Sequence, residues 1–279
     1  MTTSTSTPGS DRIAFIGGGN MASAIIGGLI KQGLAPGQID VVEPFPEARD
    51  KLQRQFGLTA QAAPTAKLEQ AALVVWAVKP QTFKEAALQT APHTQNALHL
   101  SVAAGIRSDS IARWLGTERV VRAMPNTPAL VGKGMTALFA RAAATSADRQ
   151  QVERVLAPTG ECLWVEQEVQ LDAVTALSGS GPAYVFYFIE AMTQAGVDMG
   201  LPHAQAQQLA VGTFVGASEL ARAGDEPPEV LRQRVTSKGG TTYAAITSME
   251  QDKVKTLFMR AMHAAQQRAR ELGDEFGAD

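Results

Sequence analysis

Two rhythms of apolar and polar positions divide this chain. From Arg12 to about Glu166, short apolar runs alternate with segments whose apolar residues recur every three or four positions. The runs "RIAFIG", "IDVVE", "ALVVWAV", "ALHLSVAA" and "ERVVRAM" have strand length and are rich in β-branched residues. Between them lie helix patterns with readable ends. One runs from Asn20 to Gln32 and stops at Gly33; another has Pro46 near its first turn and stops at Gly57. "GMTALFA", "SADRQQVERVLA" and "ECLWVE" read as one further strand–helix–strand unit. Such alternation predicts an α/β domain, a parallel sheet with helices on both faces.

After Glu166 the strand pattern disappears. "DAVTALSG", "PAYVFYFIEAMTQAGVDMG", "PHAQAQQLAVGTFVGASELARAG", "PPEVLRQRV" and "KVKTLFMRAMHAAQQRAREL" all carry helical spacing, with Gly and Pro between them. The expected plan is a dinucleotide-binding domain over 11–166 and an all-α domain over 167–273. A disordered lead, 1–10, and a flexible tail, 274–279, flank them. The helical half carries Ala, Gly and Met on its apolar faces, which suits close packing within one chain or between subunits.

Charge and composition narrow the partners. A net charge of −2 gives no electrostatic reason to expect nucleic acid or an anionic membrane surface. The longest apolar runs are too short to span a bilayer, and "MTTSTSTPGSD" lacks the pattern of a signal peptide. With one cysteine, Cys162, there is neither an intramolecular disulfide nor a zinc ligand cluster, and the four histidines are scattered. No metal is expected, and a reducing cytoplasm is the natural setting.

The first candidate chemistry is the turn after the first strand. Gly17-Gly18-Gly19-Asn20-Met21-Ala22 is the G-x-G-x-x-A form of the dinucleotide fingerprint. Gly17 permits the tight turn, Gly19 admits a pyrophosphate, and Ala22 keeps the helix close to the sheet, whose N-terminus offers free amides. Glu43, ending the second strand, is placed to bond a ribose 2′-hydroxyl and to repel a 2′-phosphate, favouring NADH over NADPH. Arg49 argues the other way, since it can hold a phosphate; the alternative for Glu43 is a solvated turn residue. The remaining strand ends are Val78-Lys79-Pro80, Ala103-Ala104-Gly105 and Met124-Pro125-Asn126-Thr127-Pro128. Lys79 can reach the cofactor ribose and Asn126 the nicotinamide, while Pro80 and Pro128 serve equally well as helix and turn starters.

The second candidate is "TSKGGTTYAAI", residues 236–246, where two glycines interrupt a helical half and leave backbone amides free. No G-x-x-x-x-G-K-[ST] spacing is present, so it is not a phosphate P-loop. Taken in order with "FIGGGNMASAIIGGL", "AVKPQ", "RAMPNTPALVGKGMTAL" and "LSGSGPAYVFYFIEAM", it closely resembles the pyrroline-5-carboxylate reductases, from about Arg12 to Leu272.

The resemblance implies a Rossmann fold followed by a helical dimerisation domain of the 6-phosphogluconate dehydrogenase-like C-terminal type. It implies reduction of the small cyclic imine 1-pyrroline-5-carboxylate to L-proline with NADPH or NADH, the last step of proline biosynthesis. It implies a homodimer through the C-terminal domain, with dimers commonly assembling into decamers. The hydroxyl of Ser237 and the amides around Gly239, Gly240, Thr241 and Thr242 would hold the substrate carboxylate. Thr242 would lie near the ring nitrogen, and Ser180 and Tyr184, in "SGSGPAY", would line the site. Asp225 matches a site-lining position only weakly. Lys238 departs from the proline many members carry there, and either strengthens anion binding or points into solvent.

A protonated cyclic imine already accepts hydride well, so orientation and carboxylate binding are the main demands on side chains. That accounts for the lack of an acid–base dyad and leaves Thr242 as the catalytic candidate. The rivals are a reductase of a six-membered piperideine carboxylate or of a deazaflavin, a hydroxyacid-type dehydrogenase, and a non-catalytic dinucleotide sensor. The hydroxyacid type usually relies on a lysine early in the helical domain, and none occurs between Lys133 and Lys238.

Overall fold

A computed structural model describes residues 12–277. The expected lead, 1–10, lies outside them, as do the last two positions of the expected tail. The strands are β1 (Arg12–Ile16), β2 (Ile39–Val42), β3 (Ala71–Trp76), β4 (Leu98–Ser101), β5 (Val120–Met124), β6 (Gly134–Ala140) and β7 (Gly160–Trp164). They form one sheet in the order β2-β1-β3-β4-β5-β6-β7. Every pairing is parallel except β5 with β6, where Val121 faces Ala140 and Met124 faces Ala137. The expectation of a parallel sheet therefore holds with one exception. Its cause is the short link after β5, a 3-10 turn over Thr127–Val131 that returns the chain without a crossover helix.

Five helices belong with the sheet: α1 (Asn20–Lys31), α2 (Pro46–Phe56), α3 (Pro80–Thr90), α4 (Ser108–Leu115) and α5 (Ser146–Leu156). The sheet separates two apolar layers, each covered by some of these helices. Phe15, Ile25, Ile26, Leu52, Leu73, Leu98 and Leu100 lead one; Trp76, Phe83, Ile106, Ile111 and Trp114 lead the other. Near-continuous burial of β1, β3 and β4 is what a sheet covered on both faces requires. One buried polar ring inside it, His99, is paired through both nitrogens. His99 accepts the Trp76 indole N–H on Nδ1 at 3.1 Å, and its Nε2 faces the Thr94 carbonyl at 3.2 Å.

The helical half comprises α6 (Gln170–Val174), α7 (Gly181–Asp198), α8 (His203–Ala223), α9 (Pro228–Arg234), α10 (Thr241–Gln251) and α11 (Val254–Gly277). A π-helical turn, Thr175–Gly179, separates α6 from α7. The compact units do not divide where the helical pattern starts. Of the described residues, 12–179 and 266–277 form one unit and Ser180–Ala265 the other. Ion pairs cause the difference: Glu168 meets Arg122 at 2.5 Å, and Asp172 meets Arg107 at 3.1 Å, so 166–179 packs with the sheet. The expected flexible tail is corrected too, since α11 runs on to Gly277. Phe276 packs on the second apolar layer, and the Gly277 carbonyl accepts from Ser110 Oγ at 3.3 Å.

The second unit has little core of its own. Between Ser180 and Ala265 only Thr193, Gly196, Ala206 and Ala210 are buried, none larger than threonine. Its rings meet edge to face, Tyr184 on Phe258 at 5.5 Å and Phe188 on Phe258 at 5.6 Å. Phe186, Tyr187, Leu209, Val215 and Leu220 stand exposed. A helical unit so thinly buried cannot offset its chain entropy alone, and an apolar surface of this extent marks an association face.

Candidate active site

The glycine turn is built by the backbone of its neighbours. Gly17 has φ +95°, and a Cβ there would lie 2.6 Å from the Ala77 carbonyl oxygen, so only glycine fits. Gly17 N donates to the Val42 carbonyl at 2.8 Å, and Gly18 N to Glu43 Oε2 at 2.8 Å. A Cβ on Gly19 would meet nothing within 4 Å, so this edge of the turn is open. Gly19 caps α1 with no side-chain bond, leaving the amides of Asn20, Met21 and Ala22 without intrahelical acceptors. Ala22 is buried against the sheet and Met21 packs at the margin of the core.

A cavity of about 700 Å³ opens beside this turn. Gly17, Gly19, Glu43, Val78 and Lys79 line it, as expected from the sequence. Phe45, Ala48, Pro64, Thr82 and Ala86 line it too, and these the sequence reading missed. The signal was available on α3, where Thr82, Glu85, Ala86, Gln89 and Thr90 recur with one-face spacing. Pro80 opens α3 at its first position, as a helix starter does. A smaller cavity of about 330 Å³, walled by Ile13, Leu34 and Arg154, lies at the amino ends of the strands, away from the glycine turn.

Glu43 is no solvated turn residue. It is 6% exposed, and its second oxygen accepts from Phe45 N at 3.0 Å. Arg49 Nη1 donates to the Glu43 and Pro44 carbonyls at 2.9 and 2.7 Å, so the same nitrogen is committed to backbone.

Four other expected cofactor residues make contacts of their own. Ala103 is buried, its N–H donating to Ser101 Oγ at 3.3 Å. Ala104 follows in the half-buried turn, and Gly105 turns its open side toward α11, where a Cβ would lie 3.1 Å from Leu272 Cβ. Asn126 clasps two backbone groups, donating from Nδ2 to the Ser178 carbonyl at 3.1 Å and accepting from Met135 N at 2.9 Å. Neither these alanines, nor Gly105, nor Asn126 lines the 700 Å³ cavity.

In the second unit the "TSKGGTT" segment forms a tight turn onto α10. The Ser237 carbonyl accepts from Gly240 N at 3.0 Å, and Gly239 takes φ +77° between them. Gly240 caps α10 in extended conformation with no side-chain bond. The amides of Thr241, Thr242 and Tyr243 therefore start the helix without intrahelical acceptors. Ser237 Oγ lies 2.8 Å from where a Gly240 Cβ would stand, so the hydroxyl sits directly over that turn. Lys238 is exposed, as is Asp225. Ser180 precedes α7, and Tyr184 lies in its first turn, against Phe258. Among the described residues no group of three or more His, Cys, Asp or Glu could hold a metal ion.

Known proteins match this arrangement over nearly the whole chain. A pyrroline-5-carboxylate reductase from Pseudomonas aeruginosa is 43% identical over 268 residues, spanning 95% of this chain and 98% of its own. The chain belongs to the pyrroline-5-carboxylate reductase family. The family model described as pyrroline-5-carboxylate reductase dimerisation matches residues 168–272. A second, NADP oxidoreductase coenzyme F420-dependent, matches residues 12–105, which is the nucleotide-binding part alone. Among solved structures, a pyrroline-5-carboxylate reductase from Coxiella burnetii superposes with a TM-score of 0.87 at 37% identity, over 94% of this chain and 98% of its own. The Plasmodium falciparum pyrroline carboxylate reductase with NADP bound gives 0.84 at 27% identity, over 94% and 98%. The chain is thus an oxidoreductase by family, and its C-terminal domain is the associating one, in keeping with the exposed apolar faces of α7 and α8. No helix among the described residues is long and apolar enough to cross a membrane.

Proposed function

We propose that this chain reduces the carbon–nitrogen double bond of 1-pyrroline-5-carboxylate to give L-proline, using NAD(P)H. Family membership supports the reaction class, and one local observation carries the assignment of the substrate site: the uncapped start of α10 behind the Ser237–Gly240 turn. Free amides at a helix N-terminus form a binding place for one carboxylate, and the Ser237 hydroxyl adds a donor beside them.

The glycine turn fits a dinucleotide. Gly17 holds the turn against Ala77, Gly19 leaves the approach open, and the uncapped α1 start faces it with free amides. Glu43, buried and held by Gly18 and Phe45, sets a fixed acceptor for a ribose hydroxyl. Its charge opposes a 2′-phosphate, which makes NADH the better donor. When bound, the reduced nicotinamide supplies the hydride.

The protein's own part is binding and orientation. Thr241 and Thr242 amides with Ser237 Oγ would fix the carboxylate, and the Thr242 hydroxyl, one residue into α10, would hold the ring nitrogen in line. No acid–base dyad is required, because the imine reaches the site protonated and becomes a stable amine. The match to a dimerisation model supports a homodimer through the helical unit; further assembly of dimers into a decamer is part of the proposal, and the single half-buried cysteine suits a cytoplasmic setting.

Turnover with purified 1-pyrroline-5-carboxylate and each nucleotide tests the proposal, with proline measured as product. Formation of proline in step with nucleotide oxidation upholds it. Turnover only with the six-membered piperideine carboxylate would replace the substrate, and nucleotide binding without any imine reduction would sink the enzyme reading.

A further inference from the structure

The chain passes between its two units twice, after Gly179 and before Gln266. Both connecting segments are fastened to one short stretch of the first unit, Gly105–Arg113. On the outgoing side, Glu168 accepts from Ser108 N and Ser108 Oγ, each at 2.6 Å, and Asp172 accepts both Arg107 Nη1 and Nη2 at 3.1 Å. On the returning side, Leu272 and Phe276 cover Gly105, and the Gly277 carbonyl accepts from Ser110 Oγ and Arg113 Nη2, each at 3.3 Å.

One side chain touches both segments. The edge of the Arg107 guanidinium is bonded to Asp172, while its plane lies against the backbone of Gly273. A Cβ on Gly273 would stand 2.6 Å from Arg107 Nε and 2.8 Å from Cζ and Nη2. Glycine inside a helix weakens it, so Gly273 is costly for α11 except as the seat of this group. The fork shape matters as well, since only a planar guanidinium presents two donors along one edge and a flat face besides. Asp172 is 4% exposed, so the pair is shielded from salt.

We propose that Arg107 is a positioning residue for imine reduction. It follows directly on the Ala103–Ile106 turn at the carboxyl end of β4, the end of the sheet where the nucleotide cavity lies. From there it holds together the only two peptide links to the unit that carries Ser237 and Thr242. This rests on the proposed function, which assigns Ser237 and Thr242, carried by these two links, to the reaction.

The test uses the full-length protein and three variants. Arg107→Met removes the clasp. Arg107→Lys keeps the charge but not the fork. Gly273→Ala pushes a methyl group into the guanidinium while improving helix propensity. Hydrogen exchange is followed over 168–179 and 266–277, together with kcat, KM for the imine and nucleotide affinity. Arg107→Met should speed exchange at least tenfold in both segments together and lower kcat at least tenfold, with nucleotide affinity within twofold of wild type. Gly273→Ala should lower kcat in the same direction without lowering the thermal midpoint, and Arg107→Lys should fall between Met and wild type. If Arg107→Met does not fold, Gly273→Ala carries the same measurements. Exchange that rises in one segment only or in neither, or kcat within twofold of wild type in a folded variant, overturns the proposal. A wild-type protein inert toward the imine would overturn the functional reading instead, and coupled exchange would still decide whether Arg107 joins the two segments.

Discussion

Acid should weaken this fold through one buried ring. His99 is 1% exposed, with Nδ1 accepting from Trp76 and Nε2 donating to the Thr94 carbonyl, an arrangement that requires the neutral imidazole. Burial pushes its pKa from 6.5 down to about 4; the Thr94 bond works against that shift and the Arg119 charge adds to it. The unfolded chain therefore binds this proton at a higher pH than the native one. The contribution to stability is complete above pH 6.5 and is lost progressively as pH falls toward 4. At about 1.36 kcal/mol per unit, the gap amounts to roughly 3 kcal/mol, a large share of a typical domain's stability. The assay is urea unfolding at pH 7.5, 6.5, 5.5 and 4.5 at one fixed protein concentration, since association adds its own stability. The comparison variant is His99→Asn, which keeps an acceptor near the Trp76 N–H and cannot titrate. It should be less stable than wild type at pH 7.5, and the difference should shrink by about 2–3 kcal/mol by pH 4.5. A difference constant across that range would refute the reasoning.

Three further outcomes follow from the geometry. Gly17→Ala meets the Ala77 carbonyl and an unfavourable φ, so it should cost about 2–4 kcal/mol in unfolding measurements and abolish nucleotide-fluorescence binding. Glu43→Ser removes a buried charge from the cavity wall, so the NADPH-to-NADH ratio of kcat/KM should rise at least tenfold, about 1.4 kcal/mol. Charging the exposed apolar face with Phe186→Glu and Val215→Glu together should shift sedimentation toward the monomer and remove turnover with it.

The parts of this molecule legible in the sequence were those with local causes. The strand before Gly17, the helix after it and the acidic end of β2 are each specified within a few residues, and all are where the pattern places them. Pro46 and Gly57 mark the ends of α2 for the same reason. What escaped depends on residues far apart. β6 has an ordinary strand pattern, and its antiparallel direction comes from the link that precedes it. Gly105 reads as a ligand-facing turn, yet its open side is filled by Leu272, 167 positions later in the chain. Asn126 carries the chemistry of a nicotinamide partner, and its bonds to Ser178 and Met135, 52 and 9 positions away, are not visible in the local pattern. Residues 168–179 have helical spacing, but Glu168 and Asp172 are paired with arginines 46 and 65 residues away, which ties the segment to the sheet. Long-range ion pairs leave no periodic trace.

The measurement that tests the central claim most directly is pre-steady-state reduction of 1-pyrroline-5-carboxylate by wild type and Thr242→Ala, with nucleotide affinity determined on the same samples. The account predicts reduction by wild type, and at least a tenfold slower step in the variant with nucleotide affinity within twofold. An unchanged rate in Thr242→Ala, or a wild-type protein that binds nucleotide and leaves the imine untouched, would contradict it.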